Sequence, residues 1–141
     1  MKNIKKYYES TKNLEPHFIV KKFINMNIKP ENAIDLGCGS GNESVYLIKN
    51  GWRVLAIDKE NTIEYIINRL NENEREKLTF SVQNFENIML EENKLLVANF
   101  SIPFCNKDNF KEFWSKIKNS ILPERLFCRK FFRLKRFMET E

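Results

Sequence analysis

Three of the four glycines in this 141-residue chain fall at positions 37, 39 and 41, between a short apolar run and a stretch of helical spacing. Glycine lets the backbone turn with φ > 0 and come close to a ligand, because no Cβ stands in the way. Ahead of the turn, Ala33, Ile34, Asp35 and Leu36 read as a strand short and apolar enough to be buried on both faces. Behind it, residues 42–50 place Val45, Leu47 and Ile48 inside a helix that Gly51 would end as its C′ residue. A second apolar run over 52–57 closes on Asp58. Strand, glycine turn, helix, strand and carboxylate in this order restrict the chain to an α/β fold with a parallel sheet, and suit a nucleoside-containing ligand.

The glycine spacing narrows the ligand. Dinucleotide sites use G-x-G-x-x-G, but the third glycine position here is Asn42, and the pattern is D-x-G-x-G-x-G. Asp35 would repel a pyrophosphate and suit a cationic ligand. This stretch resembles motif I of the class I S-adenosylmethionine-dependent methyltransferases, whose cofactor carries an ammonium and a sulfonium and no phosphate. Asp58 lies about twenty residues past the first glycine, where a carboxylate can accept both ribose hydroxyls. The plainer alternative for Asp35 and Asp58 is that each caps the helix that follows. Cys38 sits inside the turn, where a small residue is needed, and is read as packing and not as a nucleophile.

Two later segments extend the resemblance, which covers about residues 14–123. After the third strand come Gln83, Asn84, Phe85 and Glu86, where these enzymes usually place an Asp that bonds the adenine amine, followed by a hydrophobic residue. Asn84 stands for that Asp, and its amide oxygen can still accept the bond; Phe85 is either an adenine-packing or an ordinary core aromatic. Asn99, Phe100, Ser101, Ile102, Pro103, Phe104 and Cys105 resemble the A-S-F-A-L-P-F segment of small tellurite-resistance-type and thiopurine-type methyltransferases. The cofactor-binding set implied is Asp35, Gly37, Cys38, Gly39, Gly41, Asp58, Asn84, Phe85 and Asn99, with S-adenosyl-L-methionine as cofactor. No catalytic residue is named: Ser101 reads as loop-shaping, His17 as a surface or cofactor-flanking residue. A thiolate, selenide or telluride acceptor would need no protein base, so a small-molecule acceptor is expected.

The remaining pattern gives a Rossmann-like, doubly wound parallel sheet. Helices are expected over 15–26, 42–50, 59–70 and 108–121, and strands over 33–36, 52–57, 78–82 and 94–100. With 42% hydrophobic residues, twelve of them Phe, the chain can build one core. No apolar run reaches the eighteen residues of a membrane span, residues 1–6 carry no secretory signal, and Cys38, Cys105 and Cys128 form neither a disulfide frame nor a zinc site. A cytoplasmic protein without metal or membrane partner is expected. The net charge of +5 is concentrated at the end: residues 125–141 hold six of the 24 basic and two of the 19 acidic residues. The body therefore offers no basic face for nucleic acid.

After Pro123 the chain departs from the family pattern. The resemblance implies Gly-Gly and then strands five to seven; this chain continues Glu124, Arg125, Leu126, Phe127, Cys128, Arg129 and ends at Glu141. The expectation is a methyltransferase domain over 1–123 that is truncated or frameshifted, followed by a basic aromatic tail over 124–141. Strands five to seven would be missing or altered, and the fourth strand would be left as an edge open to self-association unless residues 125–132 pair there. Three functions stay open: a small-molecule methyltransferase, a catalytically defective cofactor-binding remnant, and a nucleic-acid module acting through the tail.

Overall fold

A computed structural model describes residues 2–11, 18–26, 28–84, 88–98 and 110–129. In chain order the elements are α1 (Lys2–Thr11), α2 (Phe18–Ile24), β1 (Asn32–Leu36), α3 (Asn42–Lys49), β2 (Arg53–Asp58), α4 (Ile63–Ile67), α5 (Glu72–Arg75), β3 (Leu78–Val82), β4 (Asn93–Ala98), α6 (Phe110–Ser120) and β5 (Ile121–Arg129). The strands form one sheet in the order β3-β2-β1-β4-β5, every neighbouring pair parallel. The order reverses between β1 and β4, and open sheets of this kind bind ligands outside the carboxyl ends of the strands at that point.

Alternation along the strands sends apolar side chains into two cores. Ala33, Val54, Ala56, Leu95 and Val97 pack on one face with Val20 and Phe23 of α2, Val45, Leu47 and Ile48 of α3, and Ile66 of α4. Ile34, Leu36, Ile57, Leu96 and Ala98 pack on the other with Phe113 and Ile117 of α6. Burial on both faces is why β1 and β4 read as near-continuous apolar runs.

The helix after the glycine turn ends as the sequence suggests. Gly51 has φ 95°, and its N–H donates to Ile48 O while Trp52 N donates to Leu47 O, both at 3.0 Å. That pair of bonds is the Schellman termination, and the buried Trp52 and Leu47 supply its apolar contact. β3 has its expected bounds.

Other elements differ from expectation for local reasons. The helix expected over 59–70 is confined to α4, because side chains ahead of it capture backbone donors: Asp58 Oδ1 accepts from Glu60 N at 3.0 Å and Asn61 Oδ1 from Ile63 N at 3.3 Å. Its far end tightens into turns through Arg69 N to Ile66 O and Leu70 N to Ile67 O. The charged stretch 71–77 contains the short α5, which starts under a capping box: Asn71 Oδ1 accepts from Glu74 N, and Glu74 Oε1 accepts from Asn71 N. α1 was not expected.

Of the two outcomes left open for β4, an exposed edge or pairing with residues drawn from 125–132, the second is found. β5 pairs with it in parallel, Leu96 opposite Phe127 and Val97 opposite Cys128, so the fifth-strand position is filled by an altered strand. The register slips between Asn93↔Ile121 and Leu95↔Leu126, leaving surplus β5 residues that include Pro123. A proline has no N–H for the ladder, so a bulge is where it fits. The boundary expected at residue 123 falls inside this strand. Among the described residues the sheet edges are β3 and β5.

Candidate functional site

The glycine turn leaves the carboxyl end of β1, at the reversal of strand order. Gly37, Gly39 and Gly41 have φ of 71°, 54° and 81°, values that a side chain would disfavour. Gly37 N and Cys38 N both donate to Ile57 O, at 2.7 and 3.0 Å, which anchors the start of the turn to the end of β2. Gly41 N donates to Cys38 O at 2.9 Å, and Gly41 O receives Val45 N at 2.9 Å to open α3.

Asp58 joins the two halves of the motif. Its Oδ2 accepts from Gly39 N at 2.9 Å and its Oδ1 from Glu60 N at 3.0 Å. A carboxylate has about four lone-pair sites, so each oxygen can still accept a further donor. Asp58 therefore does two things at once: it shapes the turn and its following loop, and it keeps acceptor capacity at the end of β2.

Asp35 lies deeper, 2% exposed, on the α3 side of β1. Ser44 Oγ, fully buried in the first turn of α3, donates to Asp35 Oδ2 at 2.6 Å. Burial, followed by the field of Glu43, pushes the Asp35 carboxyl up to about 8 from its ordinary 3.8; Ser44 opposes the shift and Asp58 adds to it. At neutral pH this burial favours the protonated carboxyl, and a cationic group brought close would shift it back toward the ionised form.

Cys38 is buried, with its Sγ 3.8 Å from Thr62 Oγ1 and from Gly39 O. Burial, with Asp35 and Asp58 nearby, holds its thiol well above the ordinary value, so it stays neutral and unreactive. Asn84 follows β3 and is exposed; it is not drawn into the hydrogen bonds that unite Asp58 and the turn. Phe85, Asn99, Ser101, Cys105 and His17 lie outside the described residues.

Four residues join the site that the sequence pattern did not single out. Ser44 and Thr62 are described above. Tyr8 of α1 stands beside the turn, its Cε1 3.6 Å from where a Cβ on Gly39 would be, with its ring 6.0 Å from that of Tyr65. Arg69, just past α4, donates from Nη1 to Asn42 Oδ1 at 2.7 Å, from Nη2 to Ser40 O, and from Nε to Tyr65 O at 2.8 Å. Among the described residues no group of three His, Cys, Asp or Glu is placed to hold a metal ion, and no helix is long and apolar enough to cross a membrane.

This sheet order with a glycine turn after β1 is the Rossmann-like fold of class I methyltransferases, and solved structures of that class share it. A TehB-like S-adenosylmethionine-dependent methyltransferase from Corynebacterium glutamicum aligns over 98% of this chain and 78% of its own, at 17% identity and TM-score 0.75. A putative S-adenosylmethionine-dependent methyltransferase from Methanococcus maripaludis aligns over 82% and 57%, at 24% identity and TM-score 0.63. The glycopeptide N-methyltransferase MtfA, solved with S-adenosylmethionine, aligns over 77% and 50%, at 15% identity and TM-score 0.64. The chain thus spans about half the length of MtfA. Residues 2–124 match the tellurite resistance protein TehB family, and the chain belongs to that family. No curated protein matches it significantly in sequence.

Proposed function

We propose that this chain binds S-adenosylmethionine at the glycine turn and transfers its methyl group to a small-molecule acceptor. The observation that carries the reading is the Asp58 carboxylate bonded to Gly39 N, which brings the β2 acid onto the turn at the reversal of strand order. The residues fit such a cofactor: a turn without Cβ atoms for close approach, one carboxylate with acceptor capacity for hydroxyls, and one buried acid for a cationic group. When bound, the cofactor supplies a methyl carbon on a sulfonium, open to direct displacement.

The chain's own part is then to bind and orient. Asp58 and the backbone of residues 37–41 hold the nucleoside end and Asp35 answers positive charge; the resemblance to the family adds Asn84 and Phe85 for the adenine and Asn99 to the binding set. A soft anionic acceptor needs no protein base, and positioning with exclusion of water can carry the rate. Membership of the tellurite resistance family supports a thiol or chalcogen acceptor. Cytoplasmic residence belongs to the same reading, supported by Cys38 as a free, buried thiol.

Calorimetry with S-adenosylhomocysteine, followed by labelled-methyl transfer to thiols, thiopurines and selenide, tests this. Binding by the wild-type chain and transfer to at least one acceptor are expected, and Asp58→Ala is expected to weaken binding by about a hundredfold through loss of its charged hydrogen bonds. Absence of binding would overturn the reading. Binding without any transfer would leave a cofactor-binding remnant.

A further inference from the structure

We infer that Arg69 is a positioning residue that sets the glycine turn in its ligand-ready shape, an inference that rests on the cofactor reading above. Three residues with positive φ make the turn intrinsically permissive, since glycine populates many backbone states. Its first half is tied to β2 through Gly37 N, Cys38 N and Gly39 N. The second half is approached from the other side by one guanidinium. Arg69 Nη2 reaches Ser40 O in the middle of the turn, and Nη1 reaches the side chain of Asn42, the residue standing where dinucleotide sites have a third glycine.

The anchor for this grip is local. Arg69 Nε donates to Tyr65 O four residues earlier, and Ile66 of the same segment is buried against Gly41, so the α4 region meets the turn by packing and by hydrogen bond together. An arginine suits the task because its planar fork presents several donors in fixed relation. A lysine would supply the charge at one point only. Holding residues 40–42 in advance lowers the ordering cost of binding, which appears as affinity. Asn42 in place of glycine then has a physical role: it offers the turn a side-chain acceptor.

The test compares the wild type with Arg69→Met, Arg69→Lys and Asn42→Ala in the full chain, reading S-adenosylhomocysteine affinity, thermal melting and amide hydrogen exchange. Arg69→Met and Arg69→Lys are expected to melt cooperatively and to bind about tenfold or more weakly. Asn42→Ala is expected to weaken binding less, and to add little on top of Arg69→Met, because the two remove the same bond. Amides of residues 39–42 are expected to exchange faster in Arg69→Met.

A merely structural arginine would lower the melting temperature and leave the folded protein's affinity at the wild-type value; that outcome overturns the inference. Failure of the wild type to bind would instead remove the cofactor reading. Exchange would then still decide the grip on the turn, and rates for residues 39–42 unchanged in Arg69→Met would overturn it.

Discussion

Gly41→Ala is expected to destabilise the protein by about 3–5 kcal/mol, combining a left-handed backbone penalty with overpacking. A Cβ at Gly41 would lie 2.2 Å from Ile66 Cγ1 and 2.7 Å from its Cδ1, and the residue's φ is +81°. Ile66 is fully buried in the core that α4 shares with α3 and the sheet, so the clash cannot be relieved by swinging a side chain into solvent. Gly39→Ala makes the contrasting case. There the nearest atom is Tyr8 Cε1 at 3.6 Å, an ordinary contact, and the cost is that of its φ of +54°, about 1–2 kcal/mol. Urea melts of the two variants should therefore separate clearly. Adding Ile66→Ala to Gly41→Ala should recover part of the loss, so that the double variant is less destabilised than the sum of the singles. Equal stability of Gly41→Ala and wild type would contradict the packing described for the turn.

The second large effect concerns protons. The unfolded chain loses the Asp35 proton near 3.8, while the native protein keeps it to about 8. Within that window the native state holds a proton that the unfolded state has released, so this group's contribution to stability is complete below pH 4, falls as pH rises, and is gone above pH 8. The slope approaches 1.4 kcal/mol per pH unit where only the native state is protonated. Asp35→Asn, which can keep an oxygen for Ser44 Oγ, should remove this slope and be the more stable protein at pH 8. Melting temperatures of both proteins from pH 4 to 9 measure the difference, and parallel curves would refute it.

Ligand binding should run the same equilibrium in reverse. A cationic group at the turn favours ionised Asp35, so binding S-adenosylhomocysteine near pH 7 should release up to about one proton. Calorimetry in buffers of different ionisation enthalpy reads that number, and Asp35→Asn should abolish the buffer dependence.

The segment from β1 to β2 was legible in the sequence because each of its constraints is local: positive φ needs glycine, a doubly buried strand needs an apolar run, and Gly51 ends α3 where its spacing says it should. Helix bounds after Asp58 were less legible. Asp58 and Asn61 compete for backbone donors there, and apolar spacing at Ile63, Ile66, Ile67 and Leu70 conceals that competition. Asp35 and Asp58 were recognised as a pair, yet their different depths were not. Only the packing shows that Asp35 lies under α3 with Ser44 while Asp58 grips the turn. Arg69 was invisible to pattern, since its partner Asn42 is 27 residues away and no spacing rule links an arginine after one helix to the first residue of another. The fifth strand was half legible: aromatic content suggested that residues after 125 could pair, but not that the strand would start at Ile121 and bulge around Pro123.

The sheet register has a consequence for how the chain matures. β1 meets β2 at once, Asp35 opposite Ala56, but reaches its other neighbour only when Leu95 and Val97 arrive. The bonds that shape the turn, from Gly37, Cys38 and Gly39 to Ile57 and Asp58, all close within the early pair. Short loops close at lower entropic cost than long ones, and synthesis delivers residues in order. The first half of the glycine turn therefore draws its hydrogen bonds from the first sixty residues alone, whereas residues 40–42 gain their contacts with Ile66 and Arg69 only once those two have followed.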